Sequence, residues 1–256
     1  MVLAEEKLGG ASPNGFLRTP ATDWSSLYRV GGIAALLAAV LTPIAITVFG
    51  ISPPPYDDGA AEWFELLHDS PLLGLVSLDL LFVIVNVLMI PVMLGLYVAL
   101  RRLSPAYMTL AIATFFVGLA AFLATNPSIE MLSLSDRYAN ATSEGERIAL
   151  LGAGESLLAG FEGTAFHLNY ILAQLAGIVI GTVILRGSMF GRTIGWLMII
   201  GNAVGFGLYL PVVGLGMSAF AGVILWVWLV FLARRFFQLS VDPVGRATTR
   251  TKEGAR

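Results

Sequence analysis

The chain has no cysteine, only 2 histidines, and charge on just 12% of its 256 residues. Without cysteine there is no disulfide, no thiolate metal site and no thiol redox centre. A soluble domain carries about 25% charged residues. Half that load cannot dress a water-facing surface. The net charge of −2 favours neither acidic nor basic partners. The basic residues form no patch interleaved with aromatics, so nucleic acid is not an expected partner. Residues 1–28 contain no short apolar core ending at a small-residue cleavage site, so a cleaved signal peptide is not expected.

What the chain has instead is apolar length, with 57% of its residues hydrophobic. Crossing about 30 Å of hydrocarbon takes roughly 20 apolar residues in a helix. Residues 30–51, 80–100, 103–129 and 163–185 each supply one such run, and Pro105 sets the start of the third. Residues 193–233 are uncharged over twice the length one crossing needs. Pro211, Gly214 and Gly216 interrupt their middle. Proline removes a backbone donor and glycine permits a turn, so this stretch reads as two helices and a tight turn. The expected architecture is an all-α bundle of six membrane helices over residues 29–236, with tails 1–28 and 237–256.

The charges orient the bundle. All Lys and Arg residues except Arg137 and Arg147 fall on one side of this six-crossing map. Arg29, Arg101, Arg102, Arg186, Arg192, Arg234 and Arg235 stand close to helix ends. The opposite side carries Asp57, Asp58, Glu62, Glu65 and Asp69 in one loop. A second loop carries Glu130, Asp136, Glu144, Glu146, Glu155 and Glu162. Basic residues near helix ends stay in the cytoplasm. Both termini are therefore expected inside, and both acidic loops outside. Arg246, Arg250, Lys252 and Arg256 read as an ordinary positive-inside tail.

The outer loops carry helical patterns. Ala60, Trp63, Phe64 and Leu67 share one face and Glu62, Glu65 and Asp69 the other, which predicts a short helix lying on the membrane interface. Ser143 and Glu146 are spaced as a capping box. Asn140-Ala-Thr142 fits a glycosylation triplet, a pattern common by chance.

Polar groups at bilayer depth are costly and turn toward the bundle interior. Asp79 and Asn86 share a face of the second crossing; Asn126 and Glu130 end the third, one turn apart if the helix continues through Pro127. Asn202 sits within the fifth. Gly160, Gly163, His167, Tyr170, Gln174, Gly177 and Gly181 recur at alternating spacings of three and four. That makes one seam of small and polar residues, the kind that lets helices approach closely. The fourth crossing is expected to be the most enclosed, and Gly201/Gly205 repeats its small-residue spacing on the fifth. Asp79, Asn86, Asn126, Glu130, His167 and Gln174 are the candidate lining of an outward-facing polar pocket. Interhelical bonds that merely fix packing are the other reading of Asn86, Gln174 and Asn202.

Established chemistries find little support. A catalytic zinc site usually needs three protein ligands, and no H-E-x-x-H spacing occurs here. Ser77, Ser128 and Ser135 lack a G-x-S-x-G setting. Gly205–Gly207 lacks the strand-to-helix context of a nucleotide loop. Trp196, Trp226, Trp228 and Tyr209 fit interfacial belts and packing.

Asn126-Pro-Ser-Ile-Glu130, Ser135-Asp-Arg-Tyr138, Gly163-Thr-Ala-Phe-His167, Leu185-Arg186, Phe190-Gly-Arg192 and Ala233-Arg-Arg235 resemble a bacterial membrane-protein family, domain of unknown function 4386. The resemblance covers residues 29–236 and implies a six-helix inner-membrane protein. It brings no activity, cofactor or site residue. The reading is a non-enzymatic membrane protein. Its partners are the lipid bilayer and a small or amphipathic ligand, with a homo-oligomer as a further possibility; no cofactor or metal is expected. A small transporter and a membrane hydrolase built on Asp79, Glu130 and His167 are the alternatives. No clear internal repeat supports transport.

Overall fold

A computed structural model describes residues 24–55 and 58–241. Every regular element among them is helical: α1 (Ser25–Ile51), α2 (Ala60–Asp69), α3 (Pro71–Ser77), α4 (Leu80–Leu100), α5 (Pro105–Thr125), α6 (Ser128–Ala139), α7 (Glu144–Phe161), α8 (Thr164–Arg186), α9 (Arg192–Gly205) and α10 (Gly214–Val241). A 3-10 turn, Phe206–Tyr209, extends α9. Five helical stretches are long and apolar enough to cross a membrane: Ser25–Ile51, Leu80–Leu100, Pro105–Ala139, Glu144–Arg186 and Gly214–Val241. The expected sixth differs. Its helix α9 stops after 14 residues.

The long helices pack in sequence around a circuit. Helix α4 lies on α1, α1 on α10, α10 on α9, α9 on α8, α8 on α5, and α5 returns to α4. Close approach follows from small residues. Ala34, Ala35, Ala38 and Ala39 are all buried along α1. Gly31 and Gly95 seat the Phe236 ring, where any Cβ would press on it. Leu96, Ile180, Leu232 and Phe236 are fully buried in this shared core. Helix α8 was expected to be the most enclosed; it is flanked by α5 and α9 much as α1 is flanked by α4 and α10.

The two ends of the bundle differ in chemistry. At one end the Arg101 guanidinium lies 5.6 Å from the Trp24 ring and 5.9 Å from that of Tyr97. Arg186 lies 5.7 Å over Tyr107. Arg235 donates to the Met189 carbonyl. Such arginines lay their apolar stems along the helices and carry their charge to the water boundary.

The other end is closed by a second cluster, a cap built from α2, α3, α6 and α7. Trp63, Phe64, Leu67, Leu78, Met131, Leu158 and Phe161 form its interior. The α2 face anticipated from periodicity is buried, but against α6 and α7, with Ser135 donating to the Phe64 carbonyl at 2.7 Å. It does not lie on lipid. Periodicity identifies an apolar face and is blind to what covers it. On α7 the capping box forms: Ser143 accepts from the Glu146 amide at 3.3 Å, and Glu146 accepts from the Thr142 amide at 3.3 Å.

Two helices expected to be continuous are broken. Asn126 is extended, so α5 does not run through Pro127, and the ring of Pro127 disfavours a helical residue before it. The break at Glu162–Gly163 leaves Gly160 on α7, so the polar seam starts on α8. Helix α1 begins at Ser25 and α10 runs to Val241, beyond the expected 29–236 at both ends. The basic residues from Arg246 onward, and most of the first tail, lie outside the described residues.

Candidate functional sites beneath and within the cap

The first site is the break between α3 and α4. Asp79 takes φ 64°, the left-handed region, and immediately precedes the span that begins at Leu80. Aspartate tolerates this conformation better than most residues, still at a cost of about 1 kcal/mol or more. The geometry persists because other segments hold it. Asn126 Nδ2 donates to the Leu78 carbonyl at 2.8 Å. The Ser128 hydroxyl lies 2.9 Å from the same carbonyl and 2.6 Å from Asn126 Oδ1. Asp79 is only 9% exposed, and its carboxyl has no hydrogen-bond partner among the described residues. Burial raises it from an ordinary 3.8 to about 7. Ser77 is wholly buried, and its hydroxyl also lacks a partner among the described residues.

The second site is a groove between α6 and α7. Ile129, Leu134, Ala153 and Leu157 form its apolar walls, with Ser133 and Ser156 adding hydroxyls. Glu130 is its charged group and is exposed. The groove is shallow and open, with Ile129, Ser133, Ala153 and Ser156 exposed along it as well.

The third site lies where α8 meets the 3-10 turn. His167 Nδ1 is 3.1 Å from the Tyr209 hydroxyl. Tyr170 donates to the Gly205 carbonyl at 2.8 Å, and its oxygen is 3.1 Å from the Ser218 hydroxyl. The Gly205 carbonyl is available because α9 ends there. Phe166 stacks on Tyr170 with ring centres 6.0 Å apart.

The seam on α8 faces α9. A Cβ at Gly177 would land on the Asn202 side chain, and one at Gly205 on Gln174. Gln174 and Asn202 are both buried. Asn202 donates to the Met198 carbonyl of its own helix at 2.6 Å, and Asn86 likewise to Phe82 at 2.9 Å. These two amides spend their donors locally.

The candidate residues therefore separate. Asn126 reaches the residue before Asp79, Glu130 opens on the α6–α7 groove, and His167 pairs with Tyr209. No hydrogen bond or ring contact among the described residues joins these three places. Asp79, Glu130 and His167 form no metal-holding group; no set of three or more His, Asp or Glu side chains does so among the described residues. Ser128 and Ser135 are engaged with backbone carbonyls. Ser77, Ser128, Tyr209 and Ser218 were absent from the expected pocket lining. Proline 127, which ends α5 and brings Ser128 back over Leu78, was the one local sign of the first arrangement.

No family model matches the chain, and neither does any curated protein or solved structure.

Proposed function

We propose that this chain is a six-crossing, non-enzymatic protein of a bacterial inner membrane whose outward-facing cap takes an amphipathic ligand in the α6–α7 groove. The observation that carries the reading is the groove itself. It is a shallow, open depression whose lining is mainly apolar. Apolar walls with one carboxylate and two hydroxyls suit a ligand with an acyl-like body and a polar head.

The sixth crossing rests on length and register. Helix α9 rises about 21 Å at roughly 1.5 Å per residue, and the four-residue 3-10 turn adds about 8 Å. Together they approach the thickness of the hydrocarbon core. Along α8 the pairs Leu185–Gly195, Gly181–Ile199, Gly177–Asn202 and His167–Tyr209 run in antiparallel order, so the interrupted helix follows its neighbour from end to end. Collection of the arginines at one end supports cytoplasmic termini. The resemblance to domain of unknown function 4386 supports the bacterial inner membrane.

A photoreactive lysophospholipid with the reactive group on its acyl chain tests the ligand. Cross-links mapping to α6 and α7, and lost in Leu157→Trp, are expected. Labelling confined to the spans would sink the reading. Because the chain lacks cysteine, single cysteines test topology directly. An impermeant maleimide should label Glu144→Cys from outside and Arg102→Cys only after lysis.

Two interrupted helices, α3–α4 and α9 with its 3-10 turn, support a second reading, transport. Discontinuous membrane helices commonly frame substrate and ion sites. Solute counterflow into proteoliposomes would favour it.

A further inference from the structure

Two buried polar groups at the α3–α4 break have no protein partner among the described residues. Ser77 is fully buried with its hydroxyl unsatisfied, and Asp79, two residues on, has a buried carboxyl with no hydrogen bond among the described residues. Between them the Leu78 carbonyl points out of helical register, toward Asn126 and Ser128. Buried polar groups are nearly always satisfied, and an orphan marks strain, an ordered water or an ion. The two stand two residues apart in sequence, and both offer oxygen.

We propose that the α3–α4 break is a binding site for a monovalent metal cation, held by the Asp79 carboxylate and the Ser77 hydroxyl. The inference stands apart from the amphipathic-ligand reading and does not require transport.

Charge selects the class of ion. The site offers one full carboxylate charge. Asp79 stands at the N-cap position of α4 without a side-chain capping bond, beside an amide end that carries a partial charge of about +0.5. The remaining negative charge matches a monovalent ion. Ca²⁺ sites draw on several carboxylates, and Mg²⁺ keeps a near-octahedral shell of its own waters. The neutral Ser77 hydroxyl and water oxygens complete a hard-cation shell without adding charge. Unwound backbone between helix segments is where membrane proteins commonly place such ions. The left-handed conformation of Asp79 fits this account. Residues held in sparsely populated conformations cluster at binding sites, where the surroundings over-determine them. Asn126 and Ser128 supply that constraint by fixing Leu78 from α5 and α6.

The probe is NaCl, with choline chloride holding ionic strength constant and KCl as a parallel series. Purified full-length protein is kept well above neutral pH so that Asp79 is ionised. Equilibrium dialysis should retain about one Na⁺ or K⁺ per chain. Saturation should raise Tm by several degrees over choline. Asp79→Asn should abolish both responses while remaining folded, since it replaces the carboxyl with a neutral group of the same shape. Ser77→Ala should weaken cation affinity roughly tenfold, equivalent to about 1.4 kcal/mol. Equal Tm in sodium and choline with no retained ion would overturn the proposal and leave an ordered water between the two groups. So would a cation response that survives in Asp79→Asn. Stronger stabilisation by MgCl₂ at equal ionic strength would overturn the monovalent assignment.

Discussion

Asn126 holds the Leu78 carbonyl at 2.8 Å across 48 residues of sequence. That bond joins the end of α5 to the break between α3 and α4, and so ties the cap to the bundle. Its own carbonyl oxygen accepts from the Ser128 amide at 3.2 Å and lies 2.6 Å from the Ser128 hydroxyl. The side chain is spent on both functions.

Removing it should loosen the junction. Asn126→Ala leaves the Leu78 carbonyl with the Ser128 hydroxyl alone and the Ser128 amide without its side-chain partner, at a cost of about 1–3 kcal/mol. Thermal unfolding in detergent would show this as a lowered Tm. Asn86→Ala is the control, because Asn86 donates only to Phe82 within its own helix. A loss as large in Asn86→Ala would remove the special role of Asn126.

Glu155 is the second long tie. Its Oε1 accepts from the Ala60 amide at 2.6 Å, so a side chain on α7 caps α2. Capping replacements cost about 1 kcal/mol. Glu155→Ala should raise hydrogen exchange through Ala60–Phe64 and leave α9 and α10 unchanged. Uniform exchange changes through the whole chain would contradict a local cap.

Much of this was legible in the chain because it is periodic. The burial of Ala60, Trp63, Phe64 and Leu67 on one face of α2 follows from their spacing. The seam from His167 to Gly181 turns toward α9 as small and polar spacing suggests. The Ser143–Glu146 cap is equally local. What resisted reading depends on partners distant in sequence. No glycine or proline lies within three residues of Leu78, so the α3–α4 break carries little local mark. It exists because Asn126 and Ser128 bond to it from α5 and α6. The early stop of α9 is similar, since the side chain that meets the Gly205 carbonyl there, Tyr170, comes from 35 residues away. The separation of Asp79, Glu130 and His167 into three places is a matter of tertiary packing, which equal depth in the membrane does not determine.

The α8–α9 seam makes a steric prediction. A side chain at Gly177 would collide with the middle of the buried Asn202 side chain, which cannot swing away freely. Gly177→Leu should cost about 1–3 kcal/mol by overpacking. Gly214→Ala is a harder test, since its Cβ would strike the backbone carbonyl of Leu208. Gly145→Ala, which meets nothing within 4 Å, should be neutral or slightly stabilising through better helix propensity. Melting curves for the three variants should rank in that sense, and a neutral Gly177→Leu would refute the packing.

Asp79 also predicts how stability depends on pH in sodium-free, choline-based buffer. Burial holds its carboxyl at about 7 against an ordinary 3.8, so the folded chain keeps a proton that the unfolded chain has already lost. The sign follows from that difference. The burden of the buried charge is absent below 3.8, grows as pH rises from 3.8 to about 7, and is complete above it. Its size is on the order of 4 kcal/mol. Stability should therefore fall across this window, where most paired carboxylates would make it rise. Asp79→Asn should flatten that share of the slope and be the more stable protein at neutral and alkaline pH. Unfolding midpoints of wild type and Asp79→Asn, measured side by side through the window, decide the matter. Parallel curves would mean that the carboxylate is already solvated or paired in the folded protein.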